Sequence, residues 1–240
     1  MAEILLEVCV DSVEGLFAAV EGGADRIELC SALELGGLTP SPGLMRIASS
    51  VSCPVFAMIR PRSGGFVYSP AELDQMHRDV EAAGAAGLAG IVIGANDETG
   101  GLDRAALGAL LRHRGGLGAT LHRAIDLCPN PVSAVDMAVD LGFERILTSG
   151  AAPNALSGLT MLLAMADCAR GRVSVMPGGG IHAGNAAEFL LILPLTDIHA
   201  SCSEAEDAAD SKLAAFGFSG PARRKTSIER VRSLKAALLQ

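Results

Sequence analysis

The chain is poor in aromatic residues, since its 240 residues include no Trp, one Tyr and seven Phe. Proteins that hold single-stranded nucleic acid stack its bases on aromatic side chains, and their scarcity here argues against that class. A basic stretch is also missing. The formal net charge of −8 argues further against binding of a phosphate backbone, so we expect no nucleic-acid partner.

Long apolar runs are missing as well. No window approaches ~18 uninterrupted apolar residues, and no charged segment followed by an apolar one opens the chain. We therefore expect neither a membrane span nor secretion, and we predict a cytoplasmic protein. The six cysteines include no CxxC pair, which predicts reduced thiols rather than a disulfide framework or a structural zinc site.

The abundant residues are aliphatic, and hydrophobic residues make up 50% of the chain. Short β-like runs alternate with amphipathic helical segments. The strand candidates are Leu5–Val10, Arg26–Leu29, Val55–Ile59, Gly90–Ile93, Thr120–Arg123, Arg145–Thr148, Val173–Met176 and Asp197–Ala200. Eight such units predict an α/β fold in which parallel strands close into a (β/α)8 TIM-type barrel, one domain over residues 1–240. Ser69-Pro70-Ala71-Glu72 predicts a capping box at a helix start.

A faint internal repeat agrees with this symmetry. Gly23–Ile27 and Gly142–Ile146 have similar sequences about half the chain apart, and each leads into a strand candidate. Arg26 and Arg145 therefore lie where strands begin. That end of a barrel serves stability, and we interpret both arginines as structural.

Ionisable residues gather where the predicted strands end. Because side chains alternate along a strand, Glu7 and Glu28 would face the barrel interior, where carboxylates need partners. Arginines and histidines at the ends of other strands, with Arg62 nearby, would supply those partners. The candidate cluster is Glu7, Glu28, Arg60, His122, Arg123, Asp126 and His199. We favour a functional site over an internal salt-bridge network, although both would perturb pKa values.

Glycines and a serine follow the last two strands. Gly178, Gly179 and Gly180 come after the seventh strand and Ser201 after the eighth. Barrels often bind phosphate at this place through backbone amides, so we predict a phosphate-binding turn there. The alternative is that the glycines only make a tight turn.

Two cysteines follow the interior carboxylates on neighbouring strands. Cys9 and Cys30 each lie two residues beyond a glutamate, and adjacent strands are ~4.8 Å apart. Their sulfurs could therefore share a soft ion such as Cu(I), which prefers thiolates. Alternatively, both are small buried apolar residues, as free cysteines often are.

Several blocks of the sequence resemble the CutC family of copper homeostasis proteins. They are Leu6–Ser12, Gly22–Cys30, Gly36–Ser41, Met58–Arg62, His122–Ala124, Leu147–Gly150 and Met176–Ile181. The resemblance implies a cytoplasmic (β/α)8 barrel, often dimeric, that binds copper. Cys9 and Cys30 match the family's paired cysteines, the candidate Cu(I) ligands. The chain departs from the pattern at Ser63-Gly64-Gly65-Phe66, where the family usually reads Gly-Gly-Asp-Phe.

Two functions follow as hypotheses. The first is a cytoplasmic, homodimeric copper homeostasis protein that binds Cu(I) through a cysteine pair. The alternative is a barrel enzyme, of isomerase or lyase type, acting on a small phosphorylated or carboxylated metabolite. In it, Arg60 and Arg123 would hold the anion, and His122, Glu7 or Glu28 would move protons. The alternative rests on the surplus of ionisable groups, because a Cu(I) site needs only two or three soft ligands.

Overall fold

A computed structural model describes residues 4–206, 212, 215, 216 and 224–239. Eight parallel strands form a nearly closed barrel surrounded by helices, which confirms the predicted fold. The strands are β1 (Leu5–Val10), β2 (Arg26–Leu29), β3 (Val55–Met58), β4 (Gly90–Ile93), β5 (Gly118–Leu121), β6 (Arg145–Thr148), β7 (Ser174–Pro177) and β8 (Asp197–Ala200).

The helices follow the strands on the outside of the barrel. They are α1 (Val13–Gly22), α2 (Pro42–Ala48), α3 (Pro70–Ala85), α4 (Arg104–His113), α5 (Pro131–Leu141), α6 (Leu159–Ala169), α7 (Ala186–Ile192) and α8 (Ile228–Ala237). Short 3-10 helices cover Leu33–Leu35 and Arg123–Leu127, and strands β9 (Ser203–Ala205) and β10 (Arg224–Thr226) pair antiparallel. Among the helices that the structure describes, none has the length and apolar character needed to cross a bilayer.

The strands are hydrogen-bonded in the order β7-β6-β5-β4-β3-β2-β1-β8. Strands β7 and β8 are the two terminal strands of this order. They are joined by a side-chain hydrogen bond, in which the Ser174 hydroxyl donates to the Asp197 carboxylate over 2.8 Å. The barrel is thus closed between these two strands by polar side chains rather than by a backbone ladder.

Alternation along the strands separates two apolar cores. Outward residues such as Leu6, Val8 and Ile27 belong to the larger core between the strands and the helices. A smaller cluster of Cys30, Phe56, Met58 and Val92 fills part of the barrel interior. The barrel interior therefore combines this apolar cluster with buried polar residues that the other strands carry inward.

Strand bounds differ from the prediction in three places. The third strand ends one residue earlier, at Met58, and the seventh is shifted by one residue. The larger error concerns β5, which ends at Leu121 rather than Arg123. The Ala124 amide donates to His122 Nδ1 over 3.1 Å, so His122 caps the following 3-10 helix instead of continuing the strand.

Local signals at the helix starts are confirmed. The Glu72 amide donates to the Ser69 hydroxyl and the Ser69 amide donates to the Glu72 carboxylate, which is the predicted capping box of α3. The last helix, α8, packs against α1, with Val231 lying directly over Gly22. The first contact fixes the start of α3 near the carboxyl end of β3, and the second holds α8 on the outside of the barrel.

Candidate functional site at the barrel mouth

Glu7 lies at the centre of a buried ion network inside the barrel. Its carboxylate is fully buried and accepts hydrogen bonds from Arg26 Nε over 2.5 Å and from His199 Nδ1 over 2.8 Å. Arg26 also donates through Nη2 to Asp197 over 2.6 Å. Burial alone would raise the pKa of Glu7, but the hydrogen bond with His199 and the charge of Arg26 lower this pKa to about 2. Glu7 is therefore an ionised anchor rather than a proton donor.

Cys9, Glu28 and His199 form the next layer toward the mouth. One ligand atom from each lies within 4.8 Å of the other two, and all three residues are buried. The register explains this, since Cys9 is opposite Glu28 in the β1/β2 pair and His199 is opposite Glu7 in the β1/β8 pair. His199 Nε2 is 3.8 Å from Glu28. Three types of metal-binding side chain thus face one point.

The electrostatics of this layer differ from those of Glu7. Burial raises the pKa of Glu28 to about 7, against the opposing charge of His199. Burial would lower the pKa of His199, but Cys9 and Glu28 raise it well above 6.5. Protons are therefore shared among several groups here, and a cation entering the layer would displace some of them.

Cys30 lies beside this layer. Its Sγ–H donates to Glu28 Oε2 over 3.7 Å, and the residue is fully buried. Burial and the neighbouring Glu28 raise the pKa of the Cys30 thiol well above its usual value. Glu28 thus lies between Cys30 and His199, and a Cys9–Cys30 copper pair stays a prediction.

Arg60 does not pair with the interior carboxylates as expected. Its Nη1 donates to the carbonyls of Leu35 and Gly37, and its Nη2 donates to the Gly64 carbonyl. Arg62, the other arginine after β3, binds Glu72 instead. Arg60 and Arg62 therefore bind groups of the β3–α3 region and of the loop after β2. They do not bind Glu7 and Glu28, which the sequence had suggested as their partners.

His122 reaches into the mouth as a neutral ring. Burial and the charge of Arg60 lower its pKa to about 3. Because Nδ1 accepts from the Ala124 amide, the ring proton is on Nε2, which has no acceptor among the described residues. A Cβ on Gly94 would lie 2.4 Å from the ring, so glycine is needed there to make room for it. His122 thus presents a hydrogen-bond donor to the mouth, and its part in proton transfer stays a prediction.

Asp126 fixes the loop after β6. It accepts from the Thr148 hydroxyl over 2.5 Å and from the amides of Ser149 and Ala151. Arg123 joins it through Nε over 2.8 Å and reaches Ser149 Oγ through Nη2 over 2.6 Å. Asp126 therefore holds this loop through several hydrogen bonds. It belongs to a cluster that is separate from Glu7 and His199.

The predicted phosphate turn lies next to Arg123. A Cβ on Gly179 would be 3.7 Å from Arg123 Nη1, and the amides of Gly179 and Gly180 have no acceptor in the described part of the chain. The Gly178 amide is engaged with the Thr148 carbonyl. Ser201 is exposed and its hydroxyl pairs with Ser203. Phosphate binding here stays a prediction.

Sequence reasoning missed three participants. Arg26 binds Glu7, and Asp197 binds Arg26 in turn. Phe66 covers part of the mouth by packing on His122, with ring centroids 4.7 Å apart. Arg26 has the same strand parity as Glu28, which could have placed it inside the barrel. No periodicity marks Phe66, because it lies on a loop.

Comparison with known proteins identifies relatives along most of the chain. The model of the CutC family matches residues 4–204. A CutC family protein of Sinorhizobium medicae (strain WSM419) is 52% identical over 238 residues, 99% of this chain and 97% of that protein. One of Caulobacter vibrioides (strain NA1000 / CB15N) is 48% identical, with 97% of this chain and 98% of that protein covered.

Solved structures agree. A candidate copper homeostasis protein, CutC of Streptococcus agalactiae, is 30% identical with a TM-score of 0.79, covering 82% of this chain and 98% of that chain. Thiamine phosphate pyrophosphorylase of Pyrococcus furiosus is 15% identical with a TM-score of 0.61, covering 98% of this chain and 96% of that chain. At that identity, the likeness concerns the barrel fold alone.

Proposed function

Because the chain belongs to the CutC family, we propose that it serves copper homeostasis and binds Cu(I) as its cargo at the barrel mouth, through Cys9, Cys30 and His199. One observation carries the proposal: Cys9, His199 and Glu28 place a sulfur, a nitrogen and an oxygen within 4.8 Å of one another in a buried position. Cys30 Sγ joins them through Glu28.

The donors fit a soft ion. Thiolates select Cu(I), and imidazole also binds copper, whereas a carboxylate suits harder ions. We therefore assign Glu28 a different role, as acceptor of the proton that Cys30 loses when the metal binds. Glu7 accepts from Nδ1 of His199, which leaves Nε2 for the metal, as carboxylates do for metal-binding histidines.

Below about pH 7, where Glu28 is itself protonated, metal binding at this place should release the Cys30 proton to solvent. Burial holds the pKa of Cys30 well above its usual value, so the thiol stays protonated until a cation stabilises the thiolate. We therefore expect the apparent Cu(I) affinity to rise with pH near neutrality.

Titration of reduced protein with Cu(I) against a competing chelator tests the proposal. We expect one high-affinity site in the wild type and its loss in Cys9→Ser and in Cys30→Ser. Cys168→Ser is the matched control, since Cys168 is free, partly exposed and located on α6. Unchanged affinity and stoichiometry in the Cys9→Ser, Cys30→Ser double variant would show the proposal to be wrong. Preference for Zn²⁺, with dependence on Glu28, would instead assign a Cys–Glu–His zinc site.

A second candidate function is a barrel enzyme for a small anionic metabolite, of isomerase or lyase type. The specific observation in its favour is the position of Arg123, whose side chain is 42% exposed, beside Gly179. The amides of Gly179 and Gly180 have no acceptor among the residues that the structure describes. This is where a phosphate group would bind. Metabolite analysis of the purified protein tests it, since a co-purified phosphorylated compound should be lost in Arg123→Gln.

We also propose that residues 1–240 form one domain that acts in the cytoplasm as a homodimer. Free thiols support the location, since all six cysteines are unpaired and such thiols are typical of reducing compartments. Light scattering after size-exclusion chromatography measures the assembly, and a monomer at micromolar concentration would contradict it.

A further inference from the structure

Arg60 is a buried cation that lacks an anionic partner. The residue is 6% exposed, and no carboxylate of the described residues lies within ion-pair distance of its guanidinium. Its Nη atoms donate to three backbone carbonyls. Its Nε–H has no acceptor within the described ranges. A charge taken out of water without a counter-charge is costly, so an anion at this place would be strongly favoured.

A second unpartnered donor lies against the same aromatic ring, that of Phe66. His122 is 3% exposed, and its Nε2–H lacks an acceptor in the part of the chain that the structure describes. The Phe66 ring packs on both residues, since its centroid is 4.7 Å from that of His122 and 5.1 Å from Arg60 Cζ. The Asn96 amide donates to the Phe66 carbonyl over 2.9 Å and anchors this loop above the mouth.

We propose that Arg60 Nε–H and His122 Nε2–H form a binding site for a small carboxylate, which Phe66 covers. The ligand enters when the Phe66 ring moves aside, and its two oxygens accept one hydrogen bond from each donor. The site lies at the ends of β3 and β5, and the residues proposed to bind Cu(I) are on β1, β8 and the end of β2. The two sites share no side chain.

The number of donors selects the class of anion. A carboxylate has two oxygens and one negative charge, which match two N–H groups and one uncompensated guanidinium. A phosphate dianion would keep oxygens without donors in a buried position, which is costly. The neutral state of His122 serves this role, because a neutral imidazole donates from Nε2 without adding a second positive charge beside Arg60.

Nitrogen-detected NMR of the histidine rings gives the most direct test. The probes are acetate and pyruvate, with acetamide as the uncharged analogue and inorganic phosphate as the competing anion. We expect both carboxylates to shift the Nε2–H signal of His122 in a saturable way at millimolar concentration, whereas acetamide and phosphate do not. A proton on Nδ1 instead of Nε2, or an equal response to acetamide, would overturn the proposal.

Variants separate this site from the metal site. Arg60→Lys and His122→Phe should each weaken acetate binding by about tenfold or more, because each removes a hydrogen bond to a charged group. Arg62→Lys is the matched control, being the neighbouring arginine that binds Glu72. Cys9→Ser should leave acetate binding unchanged. Equal affinity in the wild type, Arg60→Lys and His122→Phe would overturn the proposal. Histidine spectra of the wild type decide the tautomer even where a variant does not fold.

Discussion

Glu7→Gln should lower the free energy of unfolding by about 3 kcal/mol or more. Glu7 is fully buried and accepts from both Arg26 and His199. An amide in its place has one oxygen for these two donors and turns its own NH₂ toward one of them. Removing one partner of a buried ion pair costs about 3–5 kcal/mol, since Arg26 keeps only Asp197 as its counter-charge.

The pKa of Glu7 gives a second measure of the same interaction. It falls from 4.5 to about 2, and at about 1.4 kcal/mol per pKa unit the ionised carboxylate stabilises the folded chain by about 3 kcal/mol. Because the folded pKa is lowered, this contribution is complete above pH 4.5 and is lost as the pH falls toward about 2. The difference between the wild type and Glu7→Gln should therefore be constant near neutral pH and shrink in acid.

Urea unfolding followed by circular dichroism, at neutral and acidic pH, measures both effects. Glu81→Gln is the control, because Glu81 is exposed on α3 and such surface changes usually stay within about 0.5 kcal/mol. A loss below about 1 kcal/mol for Glu7→Gln, or a difference from the wild type that does not shrink in acid, would refute the reasoning.

Two further predictions concern loops and helices around the mouth. Asp126→Asn should destabilise the chain by about 2 kcal/mol in urea unfolding, because charge-assisted bonds from Thr148 and Arg123 are weakened. Asp136→Asn alters an exposed ion pair with Arg172 and a weak contact from the Cys168 thiol, and it should cost less than about 1 kcal/mol. Ser69→Ala removes the N-cap of α3 and should cost about 1 kcal/mol in thermal unfolding. An unchanged midpoint in Ser69→Ala, or equal effects of the two aspartate variants, would contradict these expectations.

The fold could be predicted because its signals are local. Each strand is a short apolar run bounded by turn residues, and Ser69 with Glu72 marks a helix start without reference to any distant residue. The end of β5 could not be predicted in this way. It depends on His122 Nδ1 capturing the Ala124 amide, and nothing in the apolar pattern distinguishes that conformation from one more strand residue.

The sequence predicted which residues line the site better than it predicted which of them bind one another. Strand parity placed Glu7 and Glu28 inside the barrel, where both are buried. The partners of Arg60 are backbone carbonyls of two loops, and sequence periodicity contains no information on the path of a loop. Arg26 was interpreted through the repeat as a residue of the stability face, although the same parity argument places it beside Glu7.

The ion network below the mouth links the stability of the barrel to the geometry of the proposed site. Buried ion pairs often contribute little net stability, so the Arg26–Glu7–Asp197 network has no obvious advantage over an apolar core if folding is its only role. Glu7 has a second partner, however, because His199 Nδ1 donates to it from above. This bond fixes the ring and directs Nε2 toward Cys9 and Glu28. We infer that the barrel tolerates the cost of the buried charges because they orient His199, which is why Glu7→Gln should weaken metal binding as well as folding.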